Sequence, residues 1–152
     1  MKQLFSACLI LASVAIAPLA SAQLETSDLS IVTDQSAHAF VVELADDPEE
    51  IQTGLMHRES MDKKAGMLFD FGQPREANMW MKNTLISLDM LFINIEGEVV
   101  AIAHNTVPGS LRNVGADVPV KGVLEINGGL AAELGIEPGD VVKHEIFNNI
   151  DE

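Results

Sequence analysis

The chain of 152 residues carries 23 Asp+Glu against 9 Lys+Arg, a formal net charge of −14 at pH 7. Neutralising phosphates needs a basic surface, so this balance excludes nucleic acid as a partner and disfavours anionic membrane surfaces. The single cysteine, Cys8, lies in the first apolar stretch, which leaves the body of the chain without disulfide chemistry.

Residues 1–22 read as a signal peptide. Lys2 precedes an apolar stretch from Leu4 to Ala17, and Ala20-Ser21-Ala22 fits the small-x-small cleavage pattern. The stretch is too short for a membrane span, which needs about 20 residues. An uncleaved N-terminal anchor is the alternative. Cleavage would place a chain starting at Gln23 in the periplasm or outside the cell, with no stable membrane insertion. Loss of Lys2 leaves 8 Lys+Arg against 23 Asp+Glu, a net charge of −15. Acidity of this kind keeps an exported protein dispersed.

Residues 23–37 are polar and unpatterned, which suggests a flexible N-terminal arm. Residues 38–148 then form one domain, long enough to build a core without staples. "HAFVVELA" (38–45) alternates as a strand does. In "DDPEEIQTGL", Asp46 or Asp47 can cap a short helix, Pro48 suits its first position, and Glu49 and Glu50 favour the positive end of the helix dipole. Strands are expected at 66–71, 76–82 and 86–95. Glu96-Gly97 is a turn leading into a strand at 98–104, so 86–104 reads as a hairpin. Residues 105–118 are a loop and 119–126 a strand. Asn127 is placed to cap a short helix ended by Gly135, and 141–147 is the last strand. Seven short strands and two short helices make a mainly-β, single-domain sandwich or barrel.

Four segments carry a family resemblance: "GLMHR" (54–58), "GMLFDF" (66–71), "MWMKNTLISLD" (79–89) and "LGIEPGDVV" (134–142). Together they resemble the domain of unknown function 192, across roughly residues 38–145. The third segment is the most specific. His57 and Met79 stand where the family usually has an aromatic residue, and Ser87 where it usually has proline. The resemblance implies a mainly-β fold, often behind a signal peptide, and assigns no catalytic residue.

The residues themselves offer few chemistries. His38, His57, His104 and His144 share no tight ligand spacing, so no metal site is expected. Met56, Met61, Met67, Met79, Met81 and Met90 suit a core better than a soft metal site. There is no Gly-x-Ser-x-Gly and no phosphate-binding loop, and nothing calls for a cofactor. Arg58 can bind an anionic ligand or pair with an acidic neighbour. Asp89 and Glu125 interrupt apolar strands. Asp89 can serve as an acid or base, or accept bonds that fix a hairpin; Glu125 is expected to face solvent.

Trp80, the only tryptophan in a chain without tyrosine, stands beside Lys82 and Asn83. If 77–82 pairs antiparallel with 87–92, alternation sorts the side chains into two faces. One carries Met79, Met81, Leu88, Met90 and Phe92. The other carries Asn78, Trp80, Lys82, Ser87, Asp89 and Leu91, with Trp80 opposite Asp89 and with His57 or Arg58 at the rim. An aromatic beside amide and charged groups suits stacking and hydrogen bonding. The expected function is therefore an exported, non-enzymatic module that binds a small molecule, a glycan or an envelope protein. The alternative is an envelope hydrolase or isomerase that uses Asp89 as acid or base.

Overall fold

In the computed structural model, residues 24–150 are described; the leader expected at 1–22 lies outside them. The elements in chain order are β1 (Thr26–Val32), β2 (Ala37–Ala45), α1 (Pro48–Thr53), β3 (Ala65–Arg75), β4 (Leu88–Ile93), β5 (Val99–Ala103), β6 (Val120–Asn127), α2 (Leu130–Leu134) and β7 (Val141–Lys143). The fold is mainly β, as expected. All seven strands join one curled sheet in the order β5-β4-β6-β3-β2-β1-β7. β2 and β3 run parallel, joined by a crossover that contains α1; the other adjacent pairs are antiparallel.

The two outer strands meet. A bridge links Glu98 to Val141, with Val99 N–H donating to Asp140 O and Val142 N–H to Gly97 O, both at 2.8 Å. This covers strand edges that would otherwise be open to pairing with another chain. Gly97 makes the closure possible. Its φ is +87°, and a Cβ there would stand 2.6 Å from Val142 O.

The sheet is buried on both faces. Leu29, Ile31, Phe40, Val42, Leu91 and Leu124 belong to the core on one face. Met67, Phe69, Met90, Phe92 and Val123 belong to the core on the other, where Leu55, Met79 and Met81 cover them. β4 and β6 sit in the interior of this arrangement, which explains why they are buried along almost their whole length.

Three expectations are corrected. Residues 26–32 belong to the sheet as β1, not to a flexible arm: Leu29 and Ile31 point into the core, and Leu29 sits opposite Phe40. Leu29, Ile31 and Val32 in an otherwise polar run are a weak signal, and non-local pairing with β2 and β7 decides the outcome. Residues 76–82 are not a strand of the sheet and do not pair with 87–92; β4 lies between β5 and β6 instead. The last strand covers only 141–143 and is followed by a single 3₁₀ turn, Glu145–Phe147. The hairpin over 86–104 is present as β4 and β5, and Asp47 caps α1 as expected, with Glu50 reciprocating in a capping box.

Candidate functional site

A cavity of about 180 Å³ lies against the Met67 face of the sheet. Three segments build it. The first is α1 and the turn after it, which contribute Ile51, Thr53, Leu55 and Met56. α1 stops at Gly54, whose φ of +47° turns the chain across the Phe69 ring; a Cβ there would come within 3.1 Å of that ring. The second is β3, which contributes Phe69, Phe71 and Arg75. The third is residues 78–84, with Asn78, Met79, Trp80, Lys82 and Thr84.

The 78–84 segment is held by hydrogen bonds to a distant loop. Met79 and Val114 exchange two backbone bonds at 2.8 and 2.9 Å, and Met81 N–H donates to Ser110 O at 3.0 Å. Thr84 N–H closes a turn on Met81 O at 3.1 Å, with Asn83 at a φ of +54°. In this extended path Met79 and Met81 turn inward and Trp80 and Lys82 turn outward. The Lys82 ammonium sits 4.9 Å from the Trp80 ring centroid, and the Arg75 guanidinium 4.1 Å from that of Phe71. Neither cation has a carboxylate partner among the described residues.

Glu125 is the deepest polar lining residue and the one that sequence reasoning placed in solvent. It lies in β6 between Met67 of β3 and Met90 of β4, and is 4% exposed. Among the described residues its carboxyl makes no hydrogen bond and no ion pair. Among the described residues, no fully enclosed side-chain nitrogen or oxygen lacks a partner. The Glu125 oxygens therefore touch open space, and the cavity is the space beside them. Burial pushes this carboxyl up to about 8, so it holds its proton at neutral pH. The available signal was the apolar run "GVLEI": in a strand flanked on both sides, even the odd polar residue is buried.

The other residues singled out from the sequence are placed as follows. Trp80 and Lys82 line the cavity. His57 and Asn83 stand near it, joined by the His57 N–H to Asn83 O bond at 2.8 Å, and Asn83 Nδ2 is 3.8 Å from Met56 Sδ. Arg58 is taken up by Glu43, with Nη2 donating to Oε2 at 2.6 Å; these bonds raise its already high pKa and leave it paired rather than free. The pair lies in an adjoining groove of about 840 Å³.

Asp89 does not join the site. It is fully buried and points to the face of the sheet opposite Met90, so the sheet separates it from Trp80. Its Oδ1 accepts from Asn105 N–H at 2.7 Å and Gly129 N–H at 3.0 Å, and its Oδ2 from Ala131 N–H at 2.9 Å. Two of these donors are the orphan amides at the start of α2. Asp89 caps that helix from another element, where Asn127 was expected to; Asn127 instead donates to the carbonyls of Met61 and Asp62. A carboxylate enclosed by three amides has no path to a substrate, so the acid–base role drawn for it from the sequence does not fit this geometry.

Residues 30–144 match the family DUF192, described as uncharacterized ACR. The chain belongs to DUF192. Two solved structures are similar to it. One is of a candidate transcription regulator from Sinorhizobium meliloti 1021, 40% identical, with a TM-score of 0.81, covering 83% of this chain and 98% of that one. The other is of a protein of unknown function from Novosphingobium aromaticivorans DSM 12444, 39% identical, with a TM-score of 0.79, covering 88% of this chain and 94% of that one. No curated protein matches the chain. DUF192 assigns no activity, so the function of this member rests on its own cavity.

Proposed function

We propose that this DUF192 protein is an exported binding module for a small molecule, held in the cavity between Trp80 and Glu125. One observation carries the reading: a buried carboxyl with no partner among the described residues faces a cavity whose outer end is formed by the exposed Trp80 and Lys82. Carboxyl oxygens that open onto a lined cavity are placed for a ligand to supply their hydrogen-bond partner. The volume of about 180 Å³ suits a small compound. The apolar lining of Met56, Met79, Phe69 and Phe71 suits an apolar body.

Export is inferred from the leader at 1–22, and the acidic surface suits an exported protein. That surface also speaks against carrying over a regulatory role through nucleic acid from the Sinorhizobium meliloti relative, because a net charge of −14 repels phosphate.

The test is a small-molecule screen by thermal shift, followed by Trp80 emission. A ligand at 100 times its dissociation constant adds about 2.7 kcal/mol of stability. Compounds that stabilise the protein are expected to shield Trp80 from acrylamide and to lose their effect in Glu125→Gln. Compounds that stabilise equally in that variant and leave Trp80 untouched would place binding elsewhere.

A further inference from the structure

The cavity is polar in an ordered way. Its deepest group, Glu125, is acidic and has no cationic partner among the described residues. Its lining also has two exposed cations, Arg75 and Lys82, that have no acidic partner among the described residues and rest on the Phe71 and Trp80 rings. The lining between them includes Met56, Met79 and Phe69. In a chain with 23 acidic and only 9 basic residues, two cations on one cavity, each without a carboxylate partner among the described residues, are a specific arrangement.

Building on the binding reading above, we infer that the ligand is a small amine with an anionic end: its ammonium pairs with Glu125 and its anionic group meets Arg75 and Lys82, across a short apolar body. Each end of such a molecule supplies the charge that the protein lacks there. A simple carboxylic acid would satisfy the outer cations and leave the floor unpaired. A simple amine would do the reverse.

Binding of this kind moves one proton. Glu125 holds its proton in the free protein, because burial raises it to about 8. When the ligand's ammonium enters, the Glu125 O–H bond breaks, the proton passes to solvent, and the carboxylate pairs with the ammonium. The charged side chains lining the cavity beside Glu125 are Arg75 from β3 and Lys82 from the 78–84 turn; the facing positions on the neighbouring strands are Met67 and Met90, and α1 contributes only uncharged groups. Below pH 8, affinity is therefore expected to rise about tenfold per pH unit, as linkage to one released proton requires.

The probes are 5-aminopentanoate, butylamine, which lacks the acid, and pentanoate, which lacks the amine. Calorimetry at pH 6, 7 and 8, in buffers of different ionisation enthalpy, reads affinity and proton release together. The expected result is that 5-aminopentanoate binds at least tenfold more tightly than either truncated probe, with close to one proton released at pH 6. Glu125→Gln is expected to remove both the proton release and the pH dependence. Replacing Arg75 and Lys82 by methionine is expected to erase the advantage over butylamine. Pentanoate binding as tightly as 5-aminopentanoate, or binding without proton release, would overturn the ligand class while leaving the cavity as the site. No response to any of the three probes would also overturn the class. The site itself falls only if stabilising compounds from the wider screen fail to shield Trp80.

Discussion

Trp80 and Glu125 are 45 residues apart in the chain and line one cavity, the tryptophan 42% exposed and the glutamate 4%. The tryptophan is held at the outer end by a loop that hydrogen-bonds to Ser110 and Val114. The glutamate is held at the floor by a strand flanked on both sides. Neither element can move without disturbing the sheet face made by Met67, Met90 and Phe92, so the cavity is built into the core of the fold.

The raised Glu125 pKa makes stability depend on pH. In the unfolded chain this carboxyl has its ordinary value of 4.5; in the fold it sits at about 8. The stabilisation from keeping the proton is complete below pH 4.5, declines between the two values and is gone above about 8. The full shift corresponds to about 5 kcal/mol, an upper bound. Urea denaturation at pH 5 and pH 8.5 is expected to show the wild type losing several kcal/mol more than Glu125→Gln. Parallel pH profiles for the two proteins would show that Glu125 is solvated or paired.

Asp89→Ala is expected to cost about 3–5 kcal/mol, because three buried amides lose their acceptor at once. The loss should be local to α2 and the Asn105 turn. Hydrogen exchange at Gly129 and Ala131 should accelerate more than exchange in β2. A loss below about 1 kcal/mol would mean that water replaces the carboxylate easily.

β1 is integral to the fold, so Ile31→Ala is expected to destabilise the protein by about 2–5 kcal/mol through the cavity it leaves. Equilibrium unfolding measures this directly. A change within about 0.5 kcal/mol would restore the flexible-arm reading of residues 23–37.

Trp80 is exposed and stacked by Lys82, so Trp80→Ala is expected to change stability little, by about 1 kcal/mol or less, while weakening ligand binding at least tenfold. In the free wild type, acrylamide should quench the emission. A blue-shifted emission immune to the quencher would contradict the exposure on which the site depends.

Much of this was legible in the residues. Period-2 alternation placed Met79, Met81, Leu88, Met90 and Phe92 together, and all five do share one core. That sorting survived although the pairing behind it was wrong, because 77–82 keeps its alternation while bonding to residues 110 and 114 rather than to β4. The partner was not legible, since non-local pairing leaves no mark on a single segment. The same limit hid the Asp89 cap, which joins β4 to a helix 42 residues further on. Glu125 was misplaced for another reason. Alternation assigns every second residue to solvent, and that rule fails in a strand covered on both faces.

Carbon-13 NMR of labelled glutamate side chains across pH 3–10 reads the state of the Glu125 carboxyl directly, with the signal assigned by its absence in Glu125→Gln. A midpoint near pH 8 in the free protein, moving downward when a stabilising amine is added, is the result predicted. A midpoint near 4.5, unmoved by any compound that shields Trp80, would contradict it.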